Sequence, residues 1–217
     1  MLLDVLAGSG SFSQKLLTVL IIVFSVFLSL SVHEMSHGLA AYMIGDKTAK
    51  YSGRISLNPL HHLDPVGALC LLLFGFGWAK PVPVNPWNFK YKRAGMAITA
   101  FAGPLSNFIV AFIAFLIYAF LPSANGVLYV ISLICNYLIV YNIGLGVFNL
   151  IPIPPLDGSK ILGAILPRNI YFKLMEYERY GFIILIVLIN TPFFRAILNR
   201  GLFGMIALFE KILQLFV

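Results

Sequence analysis

Long apolar runs separated by short polar loops dominate the chain. A bilayer core of about 30 Å needs roughly 20 helical residues to cross it. The runs therefore predict membrane-spanning helices over residues 16–44, 94–121, 126–150, about 170–190 and 200–217. Arginine and lysine residues interrupt the last two runs. The pattern predicts an all-α polytopic membrane protein with about five transmembrane helices.

Residues 66–78 form a shorter apolar run of a different kind. As a helix, this run would reach only about 20 Å, which is too little to cross a bilayer. We therefore expect a re-entrant or interfacial segment here, and weak strand-like character over residues 50–57 before it. Together these features predict a short re-entrant or strand-like segment after the first helix.

The loops on either side of this short run are strongly basic. Residues 45–65 and 79–93 contain many lysines and arginines but only two carboxylates, Asp46 and Asp64. Short loops rich in Lys and Arg stay on the cytoplasmic side of a membrane. We therefore expect an extracytoplasmic N-terminus and a first helix that ends on the cytoplasmic side.

The composition agrees with a single membrane domain. Of the 217 residues, 60% are hydrophobic and 11% are charged, and the mean hydropathy is +0.93. Soluble domains average roughly 25% charged residues. The length fits one domain over residues 1–217, with a core at about 16–167 and C-terminal helices over about 168–217. The net charge of +7 lies in loops beside apolar runs, so we expect the lipid bilayer, and no nucleic acid, as a partner.

An H-E-x-x-H sequence at residues 33–37 follows directly on the first apolar run. Side chains four residues apart lie on the same face of an α-helix, so His33 and His37 can reach a single metal ion. Glu34 lies beside them, where it can take a proton from a metal-bound water, whose pKa zinc lowers to about 7. Ionisable groups in a membrane helix are costly unless they face a partner or a cavity. The pattern therefore predicts a catalytic zinc site.

The third ligand of such a site must come from elsewhere in the chain. Catalytic zinc usually takes three protein ligands, and the chain has only eight acidic residues. Asp157 stands apart because it follows a proline-rich segment that ends the preceding helix. Irregular backbone at membrane depth is tolerated where it is buried or lines a cavity. The alternative that the residues alone leave open is an N-cap for a short helix starting at Gly158.

Four sequence blocks in a fixed order give the chain a specific resemblance. They are H-E-x-x-H at residues 33–37, N-P-L-x-H-x-D-P-x-G at 58–67, A-G-P-x-x-N at 102–107, and the segment ending in L-D-G at 149–158. Over about residues 25–167, the chain resembles the site-2 protease family of intramembrane zinc metalloproteases. It is similar to the short bacterial type, without a PDZ or nucleotide-binding regulatory domain.

The resemblance implies one Zn²⁺ per chain, held by His33, His37 and Asp157, with Glu34 as the catalytic base. It also implies a reaction, the hydrolysis of peptide bonds within or near transmembrane segments of other proteins, or in peptide remnants. The expected location is the bacterial inner (plasma) membrane, with the active site toward the cytoplasmic side.

Three further polar residues match the blocks. The resemblance places Asn149 near the active site, where its amide could polarise the scissile carbonyl. For Asn107, helix packing and substrate contact are both open. For His62, a place near the metal and a plain loop position are both open.

A metal-ion transporter or a non-catalytic membrane scaffold with the same His/Asp site is the alternative function, because intramembrane His and Asp also mark ion pathways. Glu34 distinguishes the two functions. Hydrolysis requires this carboxylate, whereas transport would require ligands at several depths.

Overall fold

The chain folds almost entirely into helices. The computed structural model describes residues 5, 7–74, 77–122, 125–176 and 178–216. Within these ranges no residue lies in a β-strand, and the all-α prediction is confirmed. The helices in chain order are α1 (Phe12–Met43), α2 (Thr48–Tyr51), α3 (Pro65–Phe74), α4 (Lys92–Ala119), α5 (Val127–Leu150), α6 (Asp157–Ile165), α7 (Arg168–Glu176), α8 (Glu178–Ile189) and α9 (Pro192–Leu213).

Three of the described helices, α1, α4 and α5, are long and apolar enough to cross a membrane. They correspond closely to the first three predicted spans. Helices α8 and α9 meet at an 84° bend and satisfy the same criterion only as a pair. The described residues therefore contain three candidate spans, or four if the bent pair is one span, and the prediction of about five is not confirmed.

The outward face of α4 is largely apolar, and its inward face carries polar groups. On α4, Thr99, Gly103 and Asn107 are buried inside the bundle. Such an arrangement suits a lipid environment, where polar side chains face the bundle interior. Apart from Tyr118, the exposed large hydrophobic side chains of α4 recur every three or four residues, at Ile98, Phe101, Leu105, Ile109, Ile113 and Ile117.

Helix α4 is the centre of the bundle and packs against α1, α5 and α6. An apolar core fills the part of the bundle beyond Asn107, where α4, α5 and α9 meet. Its buried members are Ala111, Ala114, Cys135, Ile139, Ile143 and Phe209. The other half of α4 contains Thr99 and Gly103, and it faces α1 and α6.

The segment that follows α1 forms no strand. Residues 48–51 are one turn of helix, followed by turns and bends through residue 57, so the strand-like expectation for 50–57 is not met. Asp46 accounts for the helical turn, because its Oδ1 accepts hydrogen bonds from the Thr48 N–H at 3.1 Å and from the Thr48 hydroxyl at 2.5 Å. Side-chain bonds of this kind offer the backbone an alternative to a sheet. The short apolar run begins as helix α3, and residues 75–76 lie outside the described part.

Candidate metal centre

His33, His37 and Asp157 converge inside the bundle. The two imidazole Nε2 atoms are 3.0 Å apart. Asp157 Oδ2 lies 3.2 Å from His33 Nε2 and 3.1 Å from His37 Nε2. All three residues are buried. Helix α1 supplies both histidines, and the first residue of α6 supplies the carboxylate.

These distances fit a tetrahedral metal ion. Zinc binds histidine nitrogen and carboxylate oxygen at about 2.0–2.2 Å, so neighbouring ligand atoms around it lie about 3.3 Å apart. The three distances above are close to that value. Among the described residues, these three form the one His, Cys, Asp or Glu group compact enough to hold a metal ion. Three protein ligands leave a fourth coordination position for water or substrate.

The chain reaches this site through the proline-rich loop after α5. That helix ends at Leu150, and residues 151–156 connect it to α6. Leu156 is the residue that precedes the first turn of α6, and no side-chain hydrogen bond caps that turn. The Asp157 carboxylate is directed at the imidazoles, so the N-cap alternative does not describe it.

The second nitrogen of each histidine is also engaged. His33 Nδ1 lies 2.6 Å from Asn107 Oδ1, and His37 Nδ1 lies 2.7 Å from the Thr99 carbonyl oxygen. Both partners are acceptors, so each Nδ1 carries the proton and each Nε2 presents a lone pair to the site. Partners of this kind fix the orientation and basicity of metal-binding histidines.

Lys160 contacts the outer oxygen of the carboxylate. Its Nζ is 3.4 Å from Asp157 Oδ1, while Oδ2 faces the histidines. Lys160 lies three residues after Asp157 on α6, where the two side chains share a face. Lys160 was not among the predicted site residues, although its spacing from Asp157 was a usable signal.

The backbone of α4 lies directly against both imidazoles at Gly103. A Cβ added there would lie 2.5 Å from His37 Cε1 and Nε2, and 2.7 Å from His33 Cε1. No side chain fits in this position without displacing a ring. The glycine of the A-G-P-x-x-N block therefore allows α4 to approach the two histidines.

A cavity of about 770 Å³ adjoins His33, His37 and Asp157. Glu34, Asn149 and Lys160 line it, together with these three residues and apolar side chains. The Asn149 amide donates to the Leu145 carbonyl of its own helix at 3.0 Å. The predicted base, the predicted ligands and Asn149 therefore surround one chamber, with Lys160 as an additional cation.

One oxygen of the Glu34 carboxylate is held by the backbone of a second proline-containing loop, residues 79–91 before α4, here called the Val82 loop. Glu34 Oε2 accepts a hydrogen bond from the Val82 N–H at 3.1 Å. Val82 lies between two prolines, which have no N–H to donate. Arg54 holds this loop by donating to the carbonyls of Lys80 at 3.3 Å and Pro81 at 2.9 Å.

Asp46 anchors the far end of the same loop. Its carboxylate accepts from the Asn85 N–H and from the Asn88 amide, both at 2.7 Å, in addition to its bonds with Thr48. Burial disfavours the charged form, but the hydrogen bonds from Thr48, Asn88 and Asn85 outweigh it and hold the pKa of Asp46 below its ordinary value. The loop that reaches Glu34 is therefore tied to the end of α1.

Two of the predicted residues lie away from the cavity. His62 is buried with Nε2 at 2.7 Å from the Ser56 carbonyl oxygen, and it is not in the ligand group. Its own carbonyl accepts the Lys80 N–H at 2.8 Å, so His62 supports the start of the Val82 loop. Asn107 contacts His33 from behind and does not line the cavity.

Comparison with known proteins gives consistent matches. The profile of peptidase family M50 matches residues 126–189. The Bacillus subtilis protein provisionally named zinc metalloprotease YwhC is 39% identical over 203 residues, which are 89% of this chain and 92% of that protein. The Mycolicibacterium smegmatis protein provisionally named zinc metalloprotease Rip2 is 30% identical over 185 residues, 82% of this chain and 68% of that protein. No solved structure gave a significant match.

A more distant relative is the zinc metalloprotease MJ0392 of Methanocaldococcus jannaschii. It is 29% identical over 147 residues, which are 66% of this chain and 34% of that longer protein. The similarity to YwhC, in contrast, extends over nearly the whole of both chains. The chain therefore belongs to peptidase family M50, the site-2 protease family of intramembrane zinc metalloproteases.

Proposed function

We propose that the chain is a one-zinc endopeptidase in which His33, His37 and Asp157 hold the metal and Glu34 is the general base. The observation that carries the proposal is the convergence of three ligand atoms from two distant segments to within 3.2 Å of one another. Glu34 lines the same cavity. A zinc ion held by these residues would lower the pKa of a bound water and polarise a peptide carbonyl.

Glu34 takes the proton of the attacking water and passes it to the leaving amine. The Val82 N–H holds one oxygen of the Glu34 carboxylate, which orients the other oxygen for this transfer. Asn149, on the cavity wall, is placed to donate to the scissile carbonyl as charge develops on it. The site therefore combines a base, a metal and an amide donor.

The proposed substrates are transmembrane segments of other proteins, or peptide remnants. A helix with its side chains is about 10–12 Å across and keeps its peptide bonds internal. A cavity of about 770 Å³ suits a short extended segment better, so the substrate unwinds locally before cleavage. The largely apolar wall, with Leu30, Met96 and Phe148, is compatible with apolar side chains on that segment.

The proposed setting is a bacterial inner membrane, with residues 1–217 as one domain. The basic loops between α1 and α4 lie on the cytoplasmic side by the positive-inside rule, which places the N-terminus outside. His33 lies ten residues before the cytoplasmic end of α1, a depth of about 15 Å. We assign α3 as a re-entrant segment, and α8 with α9 as one bent span.

Zinc content and cleavage test the proposal on matched variants. Asp157→Ala should lower the zinc bound per purified chain in detergent well below the wild-type value of about one. Glu34→Gln should keep the zinc but lower kcat by about 10²–10⁴-fold. Glu210 is an exposed carboxylate on α9, and Glu210→Gln should change neither the zinc content nor kcat. A Glu34→Gln variant that cleaves a membrane peptide at the wild-type rate would refute the role of the base.

The alternative of ion transport is also decided by Glu34→Gln. A transporter would carry zinc across a vesicle membrane with or without that carboxylate. Within the described residues, the candidate ligands form a single group, whereas a pathway needs sites at several depths. Proteolysis is therefore the function that the site supports.

A further inference from the structure

A buried polar network lies behind His33, on the side away from the cavity. Its members are Ser29 on α1, Asn107 on α4 and Asn142 on α5, and each is fully buried. Asn142 belongs to none of the four sequence blocks. The three residues join the three long helices at one point, directly against a proposed zinc ligand.

The donors and acceptors of this network fix the orientation of the Asn107 amide. Its Nδ2 donates to the Ser29 carbonyl at 3.2 Å and to Asn142 Oδ1 at 2.7 Å. Asn142 Nδ2 in turn donates to Ser29 Oγ at 2.8 Å and to the Leu138 carbonyl at 2.9 Å. Both N–H groups of Asn107 are therefore used, and its Oδ1 must face His33. A flipped amide would place its oxygen against two other acceptors.

We propose that Asn107 is a positioning residue that holds the proton of His33 on Nδ1, with Asn142 and Ser29 fixing Asn107. The contact between His33 Nδ1 and Asn107 Oδ1 is 2.6 Å. It keeps the Nε2 lone pair directed at His37 and Asp157. The proposal rests on the proposed function, because His33 is assigned there as a zinc ligand.

Helix packing alone does not account for these residues. A buried amide is costly unless its donors and acceptors are satisfied. The bonds of Asn107 to α1 and α5 use its two N–H groups, and its Oδ1 is directed at His33. His37 needs no such side chain, because the Thr99 backbone carbonyl accepts from its Nδ1. The network thus gives His33 the acceptor that the backbone gives His37.

The test measures zinc affinity of the full-length protein in detergent by competition with a chromophoric chelator. Asn107→Leu should raise the zinc Kd about 10- to 100-fold, the effect expected when a partner of a metal-binding histidine is removed. Asn142→Leu and Ser29→Ala act through Asn107 and should raise it by a smaller factor, about three- to tenfold. Adding Asn142→Leu to Asn107→Leu should cause no further loss of zinc affinity, since the contact between Asn107 and His33 is already absent.

Ser25→Ala is the matched control. Ser25 lies one turn before Ser29 on α1 and is equally buried, and within the described part of the structure its hydroxyl has no hydrogen-bond partner. Its removal should leave the zinc Kd unchanged. A second readout is the visible absorption of the cobalt-substituted protein, which should change in Asn107→Leu and not in Ser25→Ala.

The outcomes separate this inference from the function on which it rests. A wild-type protein that is folded but binds no zinc or cobalt would overturn the proposed function. Tight wild-type binding with the same Kd in Asn107→Leu and Ser29→Ala would overturn only the positioning role. If Asn107→Leu does not fold, Ser29→Ala decides the question alone: an unchanged Kd would overturn the role, and a raised Kd would support it. Additive effects of Asn107→Leu and Asn142→Leu would also contradict it.

Discussion

Replacing Gly103 with alanine tests whether the backbone of α4 must lie against the two imidazoles. The change adds one methyl group to a helix interior, where alanine is intrinsically preferred to glycine by about 0.5–1 kcal/mol. Helix propensity alone therefore predicts a more stable protein. The position of the methyl group predicts the opposite, because it points at both histidine rings.

The size of the effect follows from the distances. The added Cβ would lie 2.5 Å from His37 Nε2, and ordinary contact begins near 3.4 Å, so the atoms must separate by 3.4 − 2.5 = 0.9 Å. The rings cannot withdraw freely, because Thr99 and Asn107 hold their Nδ1 atoms at 2.7 and 2.6 Å. Metal–ligand distances tolerate shifts of only about 0.2 Å. Overpacking of a full core costs about 1–3 kcal/mol. A zinc-free protein relieves this cost by moving the rings, and zinc binding must then move them back, so the zinc Kd should rise by about 5- to 150-fold.

The assay is zinc affinity by chelator competition, with cleavage of a membrane peptide measured at saturating zinc. Gly144→Ala is the matched control, because this glycine lies within α5 and an added Cβ would meet no atom within 4 Å. The control should bind zinc normally and be as stable as the wild type or slightly more so. A Gly103→Ala protein with wild-type zinc affinity and cleavage would show that α4 does not confine the ligands as the structure indicates.

Substitutions at three further positions probe the parts of the site outside the proposed ligands. Lys160→Met removes the cation beside Asp157 Oδ1 and should weaken zinc binding about two- to tenfold, whereas Lys160→Arg should retain most of the affinity. Val82→Pro removes the N–H that holds Glu34, so kcat should fall about tenfold while zinc content stays unchanged. Asp46→Asn should lower the free energy of unfolding by about 2 kcal/mol at neutral pH. Folding lowers the pKa of Asp46, so its contribution is present above about pH 4 and disappears as the pH falls through the folded-state pKa. Denaturant unfolding at several pH values should therefore show the wild type and this variant converging in acid.

The sequence predicted the three long helices well because each is defined by a local property, a run of apolar residues longer than a bilayer is thick. The C-terminal helices differ from the predicted spans because hydropathy does not show where the chain changes direction. Thr191 accepts the Phe194 N–H at 3.2 Å, and Pro192 occupies the first turn of α9. Threonine before proline is a signal for a helix start. That signal would have started α9 at residue 192 and not at 200, directly after the 84° bend between α8 and α9.

The proposed zinc ligands were accessible from sequence because each carries its own signal. His33 and His37 have helical spacing, and Asp157 has its proline-rich context and the family resemblance. The groups that hold these ligands in place have no such signal. The acceptor for His37 is the backbone carbonyl of Thr99, and a carbonyl is present at every position of every sequence.

Asn107 is a second case of a contact that the sequence does not predict. The sequence gives its residue type but not its hydrogen-bond partner. An amide in a membrane helix predicts a hydrogen bond, but not whether the partner is a substrate, a helix or a ligand. The answer depends on the register between α1 and α4, which brings Asn107 to His33 across 74 positions of sequence. That register depends in turn on small contacts, such as the close approach at Gly103. The helix motif thus predicts which residue types form the site, whereas the distances between them depend on how closely α4 can approach α1.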